Sequence, residues 1–138
     1  MRKNKMVLSI LLLILISISI WYYVFVYSKT HHRNVADEKG TTVEAAAIVK
    51  AFQTNETSAN AAYLNKAVEI KGKFSEIKQD QSGNTTITIK SDDTFSNVFC
   101  TLKAGTSFQA TKDSIVTIKG ICTGFLSDVV INEAIVVK

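Results

Sequence analysis

The chain has 138 residues, enough for one domain with a core adequate for a single barrel or bundle. Its net charge of +4 is unevenly held: residues 1–33 carry five basic side chains and no acid, while residues 34–138 hold eleven lysines, no arginine and twelve acids. The excess basicity therefore surrounds the N-terminus, and the nearly neutral remainder lacks the electrostatic footprint of a nucleic-acid-binding domain.

Met6 to Tyr27 is a run of 22 residues without a charge, interrupted only by serines 9, 17 and 19. About 20 apolar residues match a hydrocarbon core of about 30 Å. Trp21, Tyr22, Tyr23 and Tyr27 gather at its C-terminal end, where amphipathic rings favour the headgroup region. Arg2, Lys3 and Lys5 sit directly before the span, whereas Lys29 and Arg33 after it are dispersed and soon offset by Asp37 and Glu38. The positive-inside rule then predicts a single-pass inner-membrane protein, its N-terminus cytoplasmic and its C-terminal domain extracytoplasmic (periplasmic). A cleaved signal peptide is the competing reading. Its apolar region would be only about 7–15 residues long, followed by a small-x-small site, and Val26-Tyr27-Ser28 is a poor one. No cysteine follows the span, which argues against lipoprotein processing.

The chain thus divides into a cytoplasmic tip and anchor over 1–28, a polar linker over 29–40, and a domain over 41–138. Thr41-Thr42-Val43-Glu44 has the form of a capping box, opening a helix that sets Ala45, Ile48, Val49 and Phe52 on one face. Asn55 to Ser58 interrupts it, and a second short helix is expected over Ala59–Leu64.

From Lys66 the period changes to two. Val68, Ile70, Gly72 and Phe74 alternate with polar residues in a long first strand, and Gly72 suggests a bend or bulge. Asp80 to Asn84 is turn chemistry, followed by a short strand over Thr85–Lys90. Asn97–Leu102 aligns Val98, Cys100 and Leu102, and Lys103–Lys112 reads as a loop or short helix. Ser114–Thr123 sets Val116, Ile118, Gly120 and Cys122 on one side. Asp128–Val137 is the last strand, without clean alternation. Five strands of this spacing, none suited to a βαβ crossover, predict a mainly β fold: a five-stranded OB-type barrel preceded by one or two short helices and an N-terminal transmembrane helix.

These residues carry a resemblance. Tyr63-x-x-Lys66-x-Val68-x-Ile70-x-Gly72, Val98-x-Cys100-x-Leu102, Val116-x-Ile118-x-Gly120-x-Cys122-x-Gly124 and Asp128-Val129-Val130-Ile131-Asn132 resemble the tRNA_anti-like OB-fold family over roughly residues 43–137. The resemblance implies a small bacterial extracytoplasmic barrel with no established activity; the family name reflects kinship to the anticodon-binding fold and is no evidence of contact with tRNA. Family members often have a further cysteine in the last strand, where this chain has Ala134.

Cys100 and Cys122 are the only cysteines, both on apolar strand faces. They fit a disulfide crossing the barrel interior or two buried thiols, with a redox or metal role third. His31 and His32 are the only histidines and lie in the linker without further ligands at metal spacing, so no metal or cofactor is expected. A domain without histidine has no Ser–His or Cys–His pair, and no enzyme is expected. Asp92-Asp93 reads as a solvated strand terminator. The outer face of the barrel offers Lys71, Lys73, Thr86, Thr88, Lys90, Phe99 and Thr101 as a candidate binding face. One aromatic and three lysines make a thin platform for single-stranded nucleic acid. The leading expectation is therefore a module anchored in the membrane through residues 6–27, binding an unknown protein or small ligand. The alternatives are a single-stranded nucleic-acid-binding OB domain and a thiol/disulfide-dependent factor using the cysteine pair.

Overall fold

A computed structural model of the chain describes residues 2–27 and 33–137, with side chains from Lys5 onward. His31 and His32 lie outside the described residues. The chain divides into two units, Met1–Asn34 and Val35–Lys138. In the first, α1 (Arg2–Tyr22) runs into a wider π-type turn over Tyr23–Tyr27. The 23 residues Lys5–Tyr27 are long and apolar enough to cross a bilayer, and none of that span is buried by protein. The Ser9 and Ser17 hydroxyls donate to the Lys5 and Leu13 carbonyls one turn back, at 2.9 Å each, so neither presents an unsatisfied donor. Trp21 stacks on Phe25 and Tyr23 on Tyr27, with centroids 5.8 and 5.3 Å apart.

The second unit opens with a 3-10 turn over Val35–Asp37, with Val35 buried. It therefore takes in residues 35–40, which composition alone reads as linker. Lys119 Nζ donates to the carbonyls of Ala36 and Glu38 and lies 3.8 Å from a Glu69 carboxylate oxygen, tying this entry to the barrel. The elements that follow are β1 (Thr41–Glu44), α2 (Ala45–Thr54), α3 (Glu56–Tyr63), β2 (Ala67–Gln79), β3 (Thr85–Lys90), β4 (Val98–Leu102), β5 (Ile115–Phe125) and β6 (Val129–Val137).

β1 corrects the capping-box expectation. Thr41 to Glu44 pair in parallel with Val68 to Lys71, so their backbone joins a sheet. Helix α2 starts at Ala45 with Glu44 as its N-cap, and no side chain caps it. A local helix-start pattern lost to a long-range ladder. The second helix starts earlier than expected because the Asn55 side chain accepts from the Ser58 N–H at 3.0 Å.

The sheet order is β1-β2-β3-β4-β6-β5, and β2 also pairs with β5, closing a five-stranded ring. β4 and β6 run parallel, while the other ring pairs are antiparallel. Inside lie Val68, Ile70, Phe74, Ile87, Ile89, Val98, Cys100, Ile118, Cys122, Val129 and Ile131, all buried. Ala45, Ile48, Val49 and Phe52 of α2 complete this core, as their helical spacing predicts. Phe52 stacks on Phe125 with centroids 5.7 Å apart. The β4–β5 connection forms no helix, and its Phe108 packs on Phe74 at 5.0 Å.

Bulges account for the irregular periods. The β2–β3 register shifts between Phe74 and Glu76, so the bulge in β2 falls at Ser75, while Gly72 stays in regular register with Val116. Gly72 serves close approach instead: a Cβ there would lie 2.5 Å from Ile89 Cγ2 and 2.9 Å from Ala45 Cβ. In β6, Val129 and Ile131 point inward and Ala134 follows out of phase, with Glu133 at a φ of 53° between them. That extra residue is why the last strand does not alternate. Gly120 is held tightest, because a Cβ would meet Ile131 Cγ2 at 2.3 Å and the Asn132 carbonyl oxygen at 2.9 Å. Gly120→Ala should therefore cost about 1–3 kcal/mol, read as a lowered urea midpoint for the detergent-solubilised chain. Unchanged stability would contradict this β5–β6 contact.

Candidate nucleic-acid or protein interface

Because Ile87, Ile89, Val98 and Cys100 point inward, alternation turns Thr88, Phe99 and Thr101 to the outer face. Cross-strand register assembles them into rungs. Glu76, Thr88, Phe99 and Val130 follow one another across β2, β3, β4 and β6. Lys78, Thr86 and Thr101 form the adjacent rung. Thr88, Phe99, Thr101 and Val130 are half-buried, leaving a shallow apolar and hydroxyl surface.

Four expected contacts fall out of this patch. Thr86 is only 3% exposed and its Oγ1 donates to the Lys78 carbonyl at 3.3 Å, so it offers no surface to a ligand. Lys71 lies opposite Thr117 on β5 and Glu44 on β1, away from the Phe99 rung. With Lys73 and Lys90 it lines a separate cleft of about 450 Å³, which Glu44, Asp92 and Asp113 also line. Lys90 Nζ lies 2.6 Å from Asp113 Oδ1, and that hydrogen bond holds the Asp113 carboxyl below its usual range. Lys78 pairs with Glu76 at 2.8 Å. The lysines thus divide between a mixed-charge cleft and a paired position, and form no continuous basic groove.

Val130 was missed as a face residue, because the β6 bulge hides which of its valines point outward. The β3–β4 loop was read only as a terminator, yet it is built in detail. Asp93 Oδ1 accepts from the Phe95 and Ser96 N–H groups at 2.7 and 2.8 Å, and Asp93 Oδ2 from Gln53 Nε2 at 3.2 Å. The two backbone donors are the main reason its carboxyl sits below the ordinary value. In the β2–β3 turn Asp80 accepts from the Ser82 and Asn84 N–H groups at 2.8 and 2.9 Å, as turn chemistry predicts. Among the described residues, no three His, Cys, Asp or Glu side chains gather as a metal-binding group.

The Cys100–Cys122 disulfide is not formed. Both residues are buried free thiols, and both lie opposite Ile131, on its two flanking strands. Two ladder steps of about 4.8 Å separate them, more than the roughly 7 Å that a bridge tolerates between Cα atoms. Burial raises both thiols, with the Gly124 N–H partly offsetting the rise at Cys122. A protonated, enclosed thiol is a poor nucleophile. Both should therefore resist maleimide labelling in the native chain and react fully once it is unfolded. Rapid native labelling of either would contradict the core assignment.

Residues 1–135 match the tRNA_anti-like family model. The chain belongs to the tRNA_anti-like family. Its OB-type barrel is shared with a provisionally named nucleic acid-binding lipoprotein from Klebsiella pneumoniae subsp. pneumoniae. That crystal structure matches with a TM-score of 0.58 at 20% identity, covering 72% of this chain and 92% of the other. At that identity the likeness establishes the common fold. No curated protein matches the sequence.

Proposed function

We propose that this tRNA_anti-like protein is a single-pass membrane protein whose OB barrel works outside the cytoplasm as a binding module, without catalysis. The observation that carries the reading is the Thr88–Phe99–Val130 rung, a half-buried apolar and hydroxyl strip on the outer face of a barrel whose core is closed. An unpaired aliphatic and aromatic strip flanked by hydroxyls suits a polypeptide or a small ligand with an apolar face. Catalysis has no support from the domain's side chains, since residues 34–138 contain no histidine and the two thiols are buried. The same burial weakens the thiol-factor alternative.

Anchoring and orientation rest on the apolar Lys5–Tyr27 helix, the Arg2, Lys3 and Lys5 group before it, and the aromatic cluster at its far end. The relative described as a lipoprotein fits a membrane-tethered barrel, although this chain has no cysteine before Cys100 to carry a lipid.

Nucleic-acid binding is the second reading. Lys71, Lys73 and Lys90 at one cleft favour it, together with the description of the Klebsiella protein. It ranks lower because Glu44, Asp92 and Asp113 line the same cleft, and one aromatic on the sheet offers little stacking.

Fused after Lys138, a reporter active only outside the cytoplasm should be active, and one active only inside should be silent. The reverse pattern, in fusions of equal abundance, would overturn the location and favour the nucleic-acid reading.

A further inference from the structure

Parallel pairing of β4 with β6 brings the β3–β4 and β5–β6 loops to the same end of the barrel. Val98 and Val129 are in register, and three residues before each stands a large apolar side chain, Phe95 and Leu126. Phe95 is 88% exposed and Leu126 is 86%, more than any other large hydrophobic among the described residues. Such side chains contribute almost no burial to the fold.

The backbone that carries them is nevertheless tied by hydrogen bonds. Asp93 fixes the Phe95 and Ser96 amides, and the Ser91 hydroxyl donates to the Ser96 carbonyl. The two loops are joined by the Asn97 N–H donating to Asp128 Oδ1 at 2.7 Å, and by the Val129 N–H donating to the Asn97 carbonyl at 3.0 Å. A loop backbone fixed in this way needs little ordering when a partner arrives. Beside Leu126 runs a groove of about 380 Å³, lined by Leu64, Phe125, Val130, Glu56 and Asn60 among others.

The charge around the tips selects the occupant. Asp92 and Asp93 share a loop with Phe95, Asp128 follows Leu126, and Glu56 lines the groove with it. Lys50 lines the cleft beside Asp92 and Asp93, and Lys71, Lys73 and Lys90 line the next cleft with Asp92, Glu44 and Asp113, so the rim and its adjoining clefts hold six acids against four lysines. A collar of this sign repels nucleic-acid phosphates and anionic lipid headgroups, and attracts cationic side chains.

We propose that this barrel rim is a docking site for a polypeptide segment carrying one apolar side chain flanked by lysine or arginine. The apolar residue packs between Phe95 and Leu126 or in the adjoining groove, and the flanking cations face the collar. This deepens the binding-module reading and rests on it in requiring a polypeptide partner.

The test uses the full chain in phosphatidylcholine nanodiscs, titrated by fluorescence anisotropy with synthetic dodecapeptides. One set has a central Leu, Phe or Trp between lysines and arginines, and a matched set has aspartates and glutamates instead. An oligothymidylate and phosphatidylglycerol vesicles serve as further probes. The basic set should bind saturably. Phe95→Ser combined with Leu126→Ser should weaken binding by about tenfold or more, with the thermal unfolding midpoint of the barrel kept. Asp92→Asn with Glu56→Gln should weaken it and flatten its salt dependence. The proposal is overturned if no basic peptide binds, if the acidic set binds equally, or if the tip variant binds as wild type. Tip-dependent binding of the oligonucleotide or vesicles would overturn it as well. The topology reporter does not sense the rim and this titration does not sense topology, so a failure of either is distinguishable from a failure of the other.

Discussion

Ring closure by β2 is the constraint on which the domain depends. Its first half, from Ala67 to Lys73, pairs with β5, and its second half, from Lys73 to Gln79, pairs with β3. One strand can serve both neighbours only by bending, and the register shift at Ser75 with close packing over Gly72 accomplishes that turn. Closure removes the ring's open edges and forces β4 against β6 in parallel. It gathers the apolar faces of all five strands into one core that α2 completes. The outer rung through Phe99 and the rim carrying Phe95 and Leu126 both follow from that parallel pair.

Much of this architecture was legible because its signals are local. Period-two runs such as Val68, Ile70, Phe74 and Ile87, Ile89 mark strand faces wherever they pair, and Ala45, Ile48, Val49, Phe52 mark a helix face. What escaped depends on contacts between distant positions. Thr41–Glu44 satisfies a helix-capping rule, but its backbone finds Val68–Lys71 twenty-seven residues on. The bulge at Glu133 scrambles the alternation of β6, so Val130 could not be assigned a face.

The candidate site was less legible for the same reason. Alternation assigned Thr88, Phe99 and Thr101 to the outer face correctly, yet exposure is set by neighbours across the sheet, and Thr86 in the same phase is buried. Lys71 and Lys73 share that phase too, but β2 bends between them and the Phe99 rung and carries them to another cleft. Phe95 did carry a local signal, an aromatic amid polar turn residues. Its meaning required the Asn97–Asp128 link that joins two loops thirty-one residues apart.

The proposed role of the barrel outside the cytoplasm rests on the apolar helix Lys5–Tyr27, which is long and apolar enough to cross a bilayer. Membrane retention of the unprocessed chain is accordingly the most direct measurement. After alkaline extraction of membranes, the protein should stay in the lipid fraction with the mass of all 138 residues, 15.2 kDa. Release of the chain into the aqueous fraction, or recovery of a form shortened by the length of the helix, would contradict the account.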